Sequence, residues 1–279
     1  MLTSIKSVLV AFTEEGRGEH SSALAYALSL SQQAGAHLTL QAASMRYAVP
    51  ASLVGAFGAE LVSSENRRIE ALADAFAEKA KGSADRAGVI CSIETPTLVY
   101  ASLCDRLLAY ARVHDLSILD MEKDAVQRDR GLIEATLFDS GRPVLIVPPG
   151  CEQFSAKRIL VAWDGGACAA RAVGDAMPFL VDAEEVEILS VSGEKDLSTT
   201  IAGADLAPHL ARHGVSVTVR NVALTQPDVA SEIRQAATDF GADLVVSGAY
   251  KHSRLREWLL GGVTQSLLKD ATLPILMSH

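Results

Sequence analysis

Short apolar runs alternate along the chain with longer stretches whose apolar positions recur at helical spacing. Runs at residues 6–12, 37–43, 89–94, 116–119 and 143–147 have the length and β-branched content of buried strands. Between them, 21–33, 60–86, 100–113 and 127–140 carry apolar residues three and four apart and are expected as helices. Residues 44–59, with Pro50, Gly55 and Gly58, break both periods and are expected as an irregular excursion beside the sheet. After Pro148, Pro149 and Gly150 the alternation restarts: a strand from Lys157, a helix beginning just beyond Gly166, strands at 186–191, 215–222, 244–247 and 273–277, and helices at 197–213, 228–240 and 263–268.

The restart is a repeat. Residues 157–166 (KRILVAWDGG) lie on 6–15 (KSVLVAFTEE) without a gap, 243–248 lie on 115–120, and 273–277 lie on 142–146. A period of more than a hundred residues means a duplicated domain rather than a solenoid, with boundaries at 1–150 and 151–279. Strand and helix in strict alternation require parallel neighbours joined by helical crossovers. The expected class is therefore α/β: two tandem, doubly wound, five-stranded parallel sheets of Rossmann-like order 3-2-1-4-5. In such sheets ligands sit beyond the carboxyl ends of strands one and four. The fifth strands, 143–147 and 273–277, then fall at sheet edges, and apolar edges left open invite aggregation. They are expected to pair with each other or across a dimer.

Composition narrows the function. A formal net charge of −9 argues against nucleic-acid or anionic-membrane partners, because a polyphosphate backbone is held through a basic footprint. The basic cluster of note is 251–256. Cys91, Cys104, Cys151 and Cys168 form no CxxC pair and no metal-ligand spacing with histidine, so reduced thiols are expected, not a zinc site or a disulfide framework. The first ten residues lack the apolar stretch of a signal peptide, and no run reaches the ~18 apolar residues of a membrane span. The expected location is cytoplasmic.

Candidate chemistry concentrates at 248–264, GAYKHSRLREWLLGGVT, which follows the strand at 244–247 and leads into a helix. Glycines at such a junction let backbone N–H groups approach phosphate oxygens. The stretch holds neither GxxxxGK[ST] nor GxGxxG. It resembles the C-terminal signature of the universal stress protein family, Gly-x-x-Gly, nine residues, then Gly-Ser/Thr, which wraps the phosphates in ATP-binding members. Gly248 and Gly261 fill the first and third positions. Lys251 replaces the second glycine and Gly262 the hydroxyl residue, with the nearest hydroxyl at Thr264. The resemblance spans the chain as a tandem pair, and because that family dimerises through its fifth-strand edge it implies a pseudo-dimer within the chain, with a homodimer as a further assembly. It implies ATP, with Mg²⁺, as the ligand of the second half and no other cofactor, with Asp164 at the adenosine portion and Val191 lining the adenine pocket.

Each residue also has a plainer role. Asp164 after a strand would cap the next helix. Gly248, Gly261 and Gly262 would serve turns and helix packing, and Val191 would be a core valine. Lys251 would either neutralise phosphate charge or fill the space a glycine leaves. His252, Arg254 and Arg256 pair with no visible nucleophile or carboxylate. In the first half Thr13 stands where Asp164 does, and Asp120 to Lys123 replace the signature. Glu14, Glu15, Asp120 and Glu122 would repel a triphosphate, so no nucleotide is expected there. Two functions follow: an adenine-nucleotide-binding stress protein, not an enzyme beyond slow ATP hydrolysis, or a nucleotide-free interaction scaffold. An adenylylating or pyrophosphatase activity lacks a visible catalytic motif.

Overall fold

A computed structural model describes residues 2–12, 21–47, 56–121, 130–193, 203–249, 262–269 and 271–279. After a 3-10 turn at Leu2–Ser4, the first half contains β1 (Ser7–Phe12), α1 (Ser22–Ala34), β2 (His37–Ala42), β3 (Ser44–Met45), α2 (Ala56–Ala87), β4 (Cys91–Glu94), β5 (Thr97–Leu98), α3 (Tyr100–Ala111), β6 (Leu116–Asp120), α4 (Arg130–Asp139) and β7 (Val144–Val147). The second half contains β8 (Arg158–Ala162), α5 (Ala167–Leu180), β9 (Glu185–Ser192), α6 (Leu206–Arg212), β10 (Val217–Ala223), α7 (Val229–Phe240), β11 (Leu244–Gly248), α8 (Gly262–Lys269) and β12 (Ile275–Ser278).

Ten of these strands make one sheet in the order β10-β9-β8-β11-β12-β7-β6-β1-β2-β4. Counted within each half, both sides read 3-2-1-4-5 with their fifth strands at the centre. Every pairing is parallel except β12 with β7, which runs antiparallel with Leu276 opposite Leu145. Antiparallel pairing at the centre relates the halves by a near-twofold axis, and the two apolar edges expected to need cover close on each other.

Strand parity divides the core. Val8, Val10, Leu38, Leu40, Ile159, Val161 and Leu276 face α1, α2, α5 and α6, whereas Leu119, Ile146, Leu160, Val245 and Met277 face α4, α7 and α8. Leu9 packs with Leu107 and Ala111 of α3. Strands covered on both sides read as continuous apolar runs, as VLIV of β7 does.

The helix ends follow their capping residues. Ser21 caps α1, its Oγ accepting the N–H of Leu24, and Gly35 closes that helix at φ +63°. Asp228 and Gly241, at φ +68°, do the same for α7. A positive φ disfavours any residue with a Cβ, so glycine is the natural stop.

The repeat extends to hydrogen bonds. Asp115 accepts the N–H groups of Lys6 and Ser7 at 2.8 and 2.9 Å, and Asp243 accepts those of Lys157 and Arg158 at 3.0 and 3.1 Å. In each half the residue before strand four thereby fixes the start of strand one. The linker is packed as well as covalent. Phe154, buried, lies edge-on to Tyr26 of α1 and against Phe179 of α5, with ring centroids 5.5 and 5.7 Å apart.

Two expectations are corrected. Residues 44–59 are not irregular throughout: β3 pairs with β5 in a separate two-stranded sheet, and α2 begins at Ala56. Two-residue strands leave no periodic trace to read. The helix expected at 197–213 is described only as α6, Leu206–Arg212, preceded by a turn, and residues 194–202 lie outside the described residues.

Candidate functional site

The carboxyl ends of β8 and β11 are adjacent, so the loops that follow them meet at one edge of the second half. After β8 the chain passes through Trp163, Asp164 and Gly165, which sits at φ +72°, to Gly166, the residue that opens α5. Asp164 Oδ1 accepts the N–H of Gly166 at 2.8 Å, turning the chain into the helix. The capping position itself is Gly166, so no side chain caps α5. Ser190 Oγ of β9 donates to the carbonyl of Trp163 at 3.0 Å and ties the end of β9 to this loop. Val191, the next residue, is half-buried, opposite Val222 of β10 and packed against the α7 side of the core.

Gly248 ends β11 against the first turn of α5. A Cβ built there would lie 2.5 Å from the backbone nitrogen of Ala169 and 2.7 Å from the carbonyl carbon of Cys168. No side chain is tolerated at that range, so the glycine is required by strand-to-helix packing whether or not phosphate approaches it. Beyond it, Ala249 donates its N–H to the carbonyl of Ser278 at 2.8 Å.

Lys251 and Gly261 lie outside the described residues, as do His252, Arg254 and Arg256. Gly262 opens α8, exposed, with no atom of the described residues within 4 Å of a Cβ placed there, and Thr264 is buried two residues on. The position of α8 is set by α7. Ser266 Oγ donates to Asp228 Oδ2 at 2.7 Å, and Arg234 Nη1 donates to the carbonyl of Ser266 at 2.7 Å. The structure thus brings Asp164 and Gly248 together on α5 and puts Val191 at the same sheet edge.

The first half differs at the matching position. Asp120, the counterpart of Gly248, ends β6 and turns its carboxylate onto the start of α1. Oδ2 accepts from Ser21 Oγ at 2.6 Å and Oδ1 accepts the N–H of Ala23 at 2.8 Å. The partial positive charge of a helix N-terminus attracts an anion, and in α1 an internal carboxylate meets it. Thr13, Glu14, Glu15, Glu122 and Lys123 lie outside the described residues. Among the described residues no group of three His, Cys, Asp or Glu side chains is placed to hold a metal ion, and no helix is long and apolar enough to cross a membrane.

Sequence reasoning did not find the contacts of Asp120 with Ser21 or of Ser266 with Asp228. The first joins residues 99 apart, a distance over which one sequence carries no pairing signal.

Comparison with known proteins bears on this geometry. The profile of the universal stress protein family matches residues 155–279. A universal stress protein from Archaeoglobus fulgidus superposes with a TM-score of 0.65 at 13% identity, covering 98% of this chain and 95% of that one. A functionally unknown protein from Pseudomonas aeruginosa PAO1 gives 0.61 at 16% identity, covering 99% and 93%. At these identities the likeness is one of fold, and it embraces both halves. No curated protein matches the sequence. The second half of the chain, residues 155–279, is thus matched by the universal stress protein family profile, and the first half repeats the same strand order.

Proposed function

We propose that the chain is a stress-response binding module of two domains, 1–150 and 151–279, whose second domain takes an adenine nucleotide, ATP with Mg²⁺, and whose first domain is its ligand-free structural partner. The observation that carries this reading is the inequality of Asp120 and Gly248. In the first half a carboxylate accepts the Ala23 amide and the Ser21 hydroxyl at the start of α1, whereas the same position in the second half adds no side chain to α5 and Gly166 caps it with none. An uncapped helix start suits an anionic ligand. Asp164 stands in the same loop, where the family resemblance assigns it to the adenosine portion, with Val191 on the neighbouring strand. The exposed start of α8 at Gly262, with Thr264 behind it, is the second helix N-terminus of this site, reached through Lys251 and Gly261. The role is binding, not catalysis, and the proposed location is the cytoplasm. The pairing of β7 with β12 makes the pseudo-dimer internal, so a further homodimer would use another surface.

Titration calorimetry of MgATP into the full chain tests the proposal. The expected result is one saturable site per chain, weakened at least tenfold by Asp164→Ala. Lys251→Gly reads the loop directly: tighter binding means that the lysine obstructs the phosphates. A loss of about 1.5–3 kcal/mol means that it pairs with them, as expected for a hydrogen bond to a charged group. Absence of binding in both wild type and Lys251→Gly would overturn the nucleotide reading in favour of the nucleotide-free scaffold.

A further inference from the structure

Cys168 is the second residue of α5, in the turn against which Gly248 packs. Its Sγ lies 3.7 Å from Nδ1 of His279, which follows β12. The imidazole is held from two sides. Nδ1 is 2.9 Å from the carbonyl oxygen of Ala249, and the ring of Phe138 in α4 meets it edge-on with centroids 4.8 Å apart. A carbonyl only accepts, so Nδ1 carries the hydrogen. That N–H is shared between Ala249 and the sulfur of Cys168, which is the acceptor. A cysteine at a helix N-terminus with an N–H donor beside it favours the thiolate, the reactive form.

A second observation points to the same place. Ser278 is 1% exposed, and its hydroxyl has no hydrogen-bond partner among the described residues. It stands opposite Gly248 in the parallel register of β11 and β12, and residues so paired project from the same face. Gly248 faces the backbone of Cys168 and Ala169, and α5 runs back over the strands from their carboxyl ends. The Ser278 hydroxyl is therefore aimed at the first turn of α5, a buried donor with no acceptor among the described residues.

The other cysteines are placed differently. Cys91 starts an edge strand, Cys104 lies inside α3, and Cys151 belongs to the linker. Burial pushes all three thiols up, away from ionisation at neutral pH.

We propose that Cys168 is a peroxide-reactive thiol, a modification site at the mouth of the second half. The thiolate sulfur attacks one oxygen of hydrogen peroxide. A sulfur–oxygen bond forms as the oxygen–oxygen bond breaks, sulfur is oxidised to the sulfenic acid while the peroxide is reduced, and the departing hydroxide is neutralised to water by a proton from the buffer. His279 is a positioning residue that donates its Nδ1–H to the sulfur, and Ser278 supplies a hydroxyl for the oxygen that the step adds. No nucleotide takes part in the step.

The test uses the full chain treated with hydrogen peroxide in the presence of dimedone, with label at each of the four cysteines counted by mass spectrometry. Cys168 is expected to label about tenfold faster than Cys91, Cys104 and Cys151 in the same molecule, as its placement at a helix start requires. In His279→Ala the rate at Cys168 is expected to fall several-fold, on the order of the change expected from losing a donor to the thiolate, while the other three rates stay the same. Equal labelling of all four, or faster labelling elsewhere, overturns the proposal without recourse to a variant. An unchanged Cys168 rate in His279→Ala overturns the role given to the imidazole.

Discussion

The carboxylate of Asp120 holds the Ser21 hydroxyl at 2.6 Å across 99 residues of sequence, and its other oxygen accepts the N–H of Ala23 in the first turn of α1. One side chain thus joins the end of β6 to the start of the helix packed beside it. Asp120→Ala removes two hydrogen bonds to a charged acceptor and part of a helix cap. It should destabilise the chain by about 1–3 kcal/mol at pH 7. Urea denaturation with matched slopes measures this, and an unchanged midpoint would remove Asp120 from the account of the first half.

Two glycines of the proposed site should respond oppositely to alanine. Gly248→Ala places a Cβ against α5 backbone that cannot step aside, and should cost about 1–3 kcal/mol or more. Gly262→Ala meets none of the described residues within 4 Å and sits at the start of a helix. It should be neutral or stabilise by about 0.4–1 kcal/mol through the unfolded chain. Thermal unfolding of the pair separates a packing glycine from a permissive one.

That contrast marks where sequence reading stops. The strands β1, β7, β8, β11 and β12 were legible because each is a short apolar run covered on both faces, and the repeat of 6–15 in 157–166 carried the duplication. Gly248 and Gly262 look alike in sequence. Their difference arises from the position of α5, which no local pattern encodes. The two-residue strands β3 and β5 were illegible for a related reason, since their pairing depends on main-chain bonds such as Ser44 N–H to the carbonyl of Pro96 at 2.8 Å. Neither Cys168 nor His279 signals the other across 111 residues.

Phe154 should prove essential to how the halves hold together. Its ring fills the space between Tyr26 and Phe179, and Gln33 Nε2 and Ser29 Oγ bind its own backbone at 3.1 Å each. Phe154→Ala leaves a cavity between α1 and α5 and should cost about 3–5 kcal/mol. Denaturant unfolding followed by tryptophan fluorescence measures the loss. A cost below about 1 kcal/mol would mean that α1 and α5 close over the gap, which protein interiors do only in part.

Asp115 makes stability depend on pH. Burial raises its pKa, but the N–H groups of Lys6 and Ser7, the Ser7 hydroxyl and the charge of Arg142 together hold the carboxyl below its usual value. A carboxyl depressed in the folded state contributes stability that is complete above the unfolded pKa, about 3.9, and is lost as pH falls through the folded value. Asp115→Asn should therefore be less stable than wild type at pH 7, by roughly 1 kcal/mol for a partly exposed acceptor. The gap should close below about pH 4. Urea midpoints of both proteins across that range give the answer, and a gap that widens on acidification would contradict the sign.

The clasp between α7 and α8 yields a prediction that links packing to the ligand loop. Ser266 is bound twice by α7, through its hydroxyl to Asp228 and through its carbonyl to Arg234. The Ser266 hydrogen bond is the largest influence holding the Asp228 carboxyl below its usual value, followed by the backbone N–H of Ser231. In Ser266→Ala the cap on α7 remains, because Asp228 Oδ1 still accepts from Ser231 at 2.7 Å. What is lost is the hold on α8, worth about 1 kcal/mol for an ordinary hydrogen bond. Amide exchange in α8 should quicken about fivefold while β11 and β12 are unchanged, since local opening is governed by local contacts. The Asp228 carboxyl should titrate at higher pH in the variant. If α8 forms one wall of a nucleotide site, MgATP affinity should weaken in the same variant. Unchanged affinity alongside faster exchange would place the ligand on α5 alone.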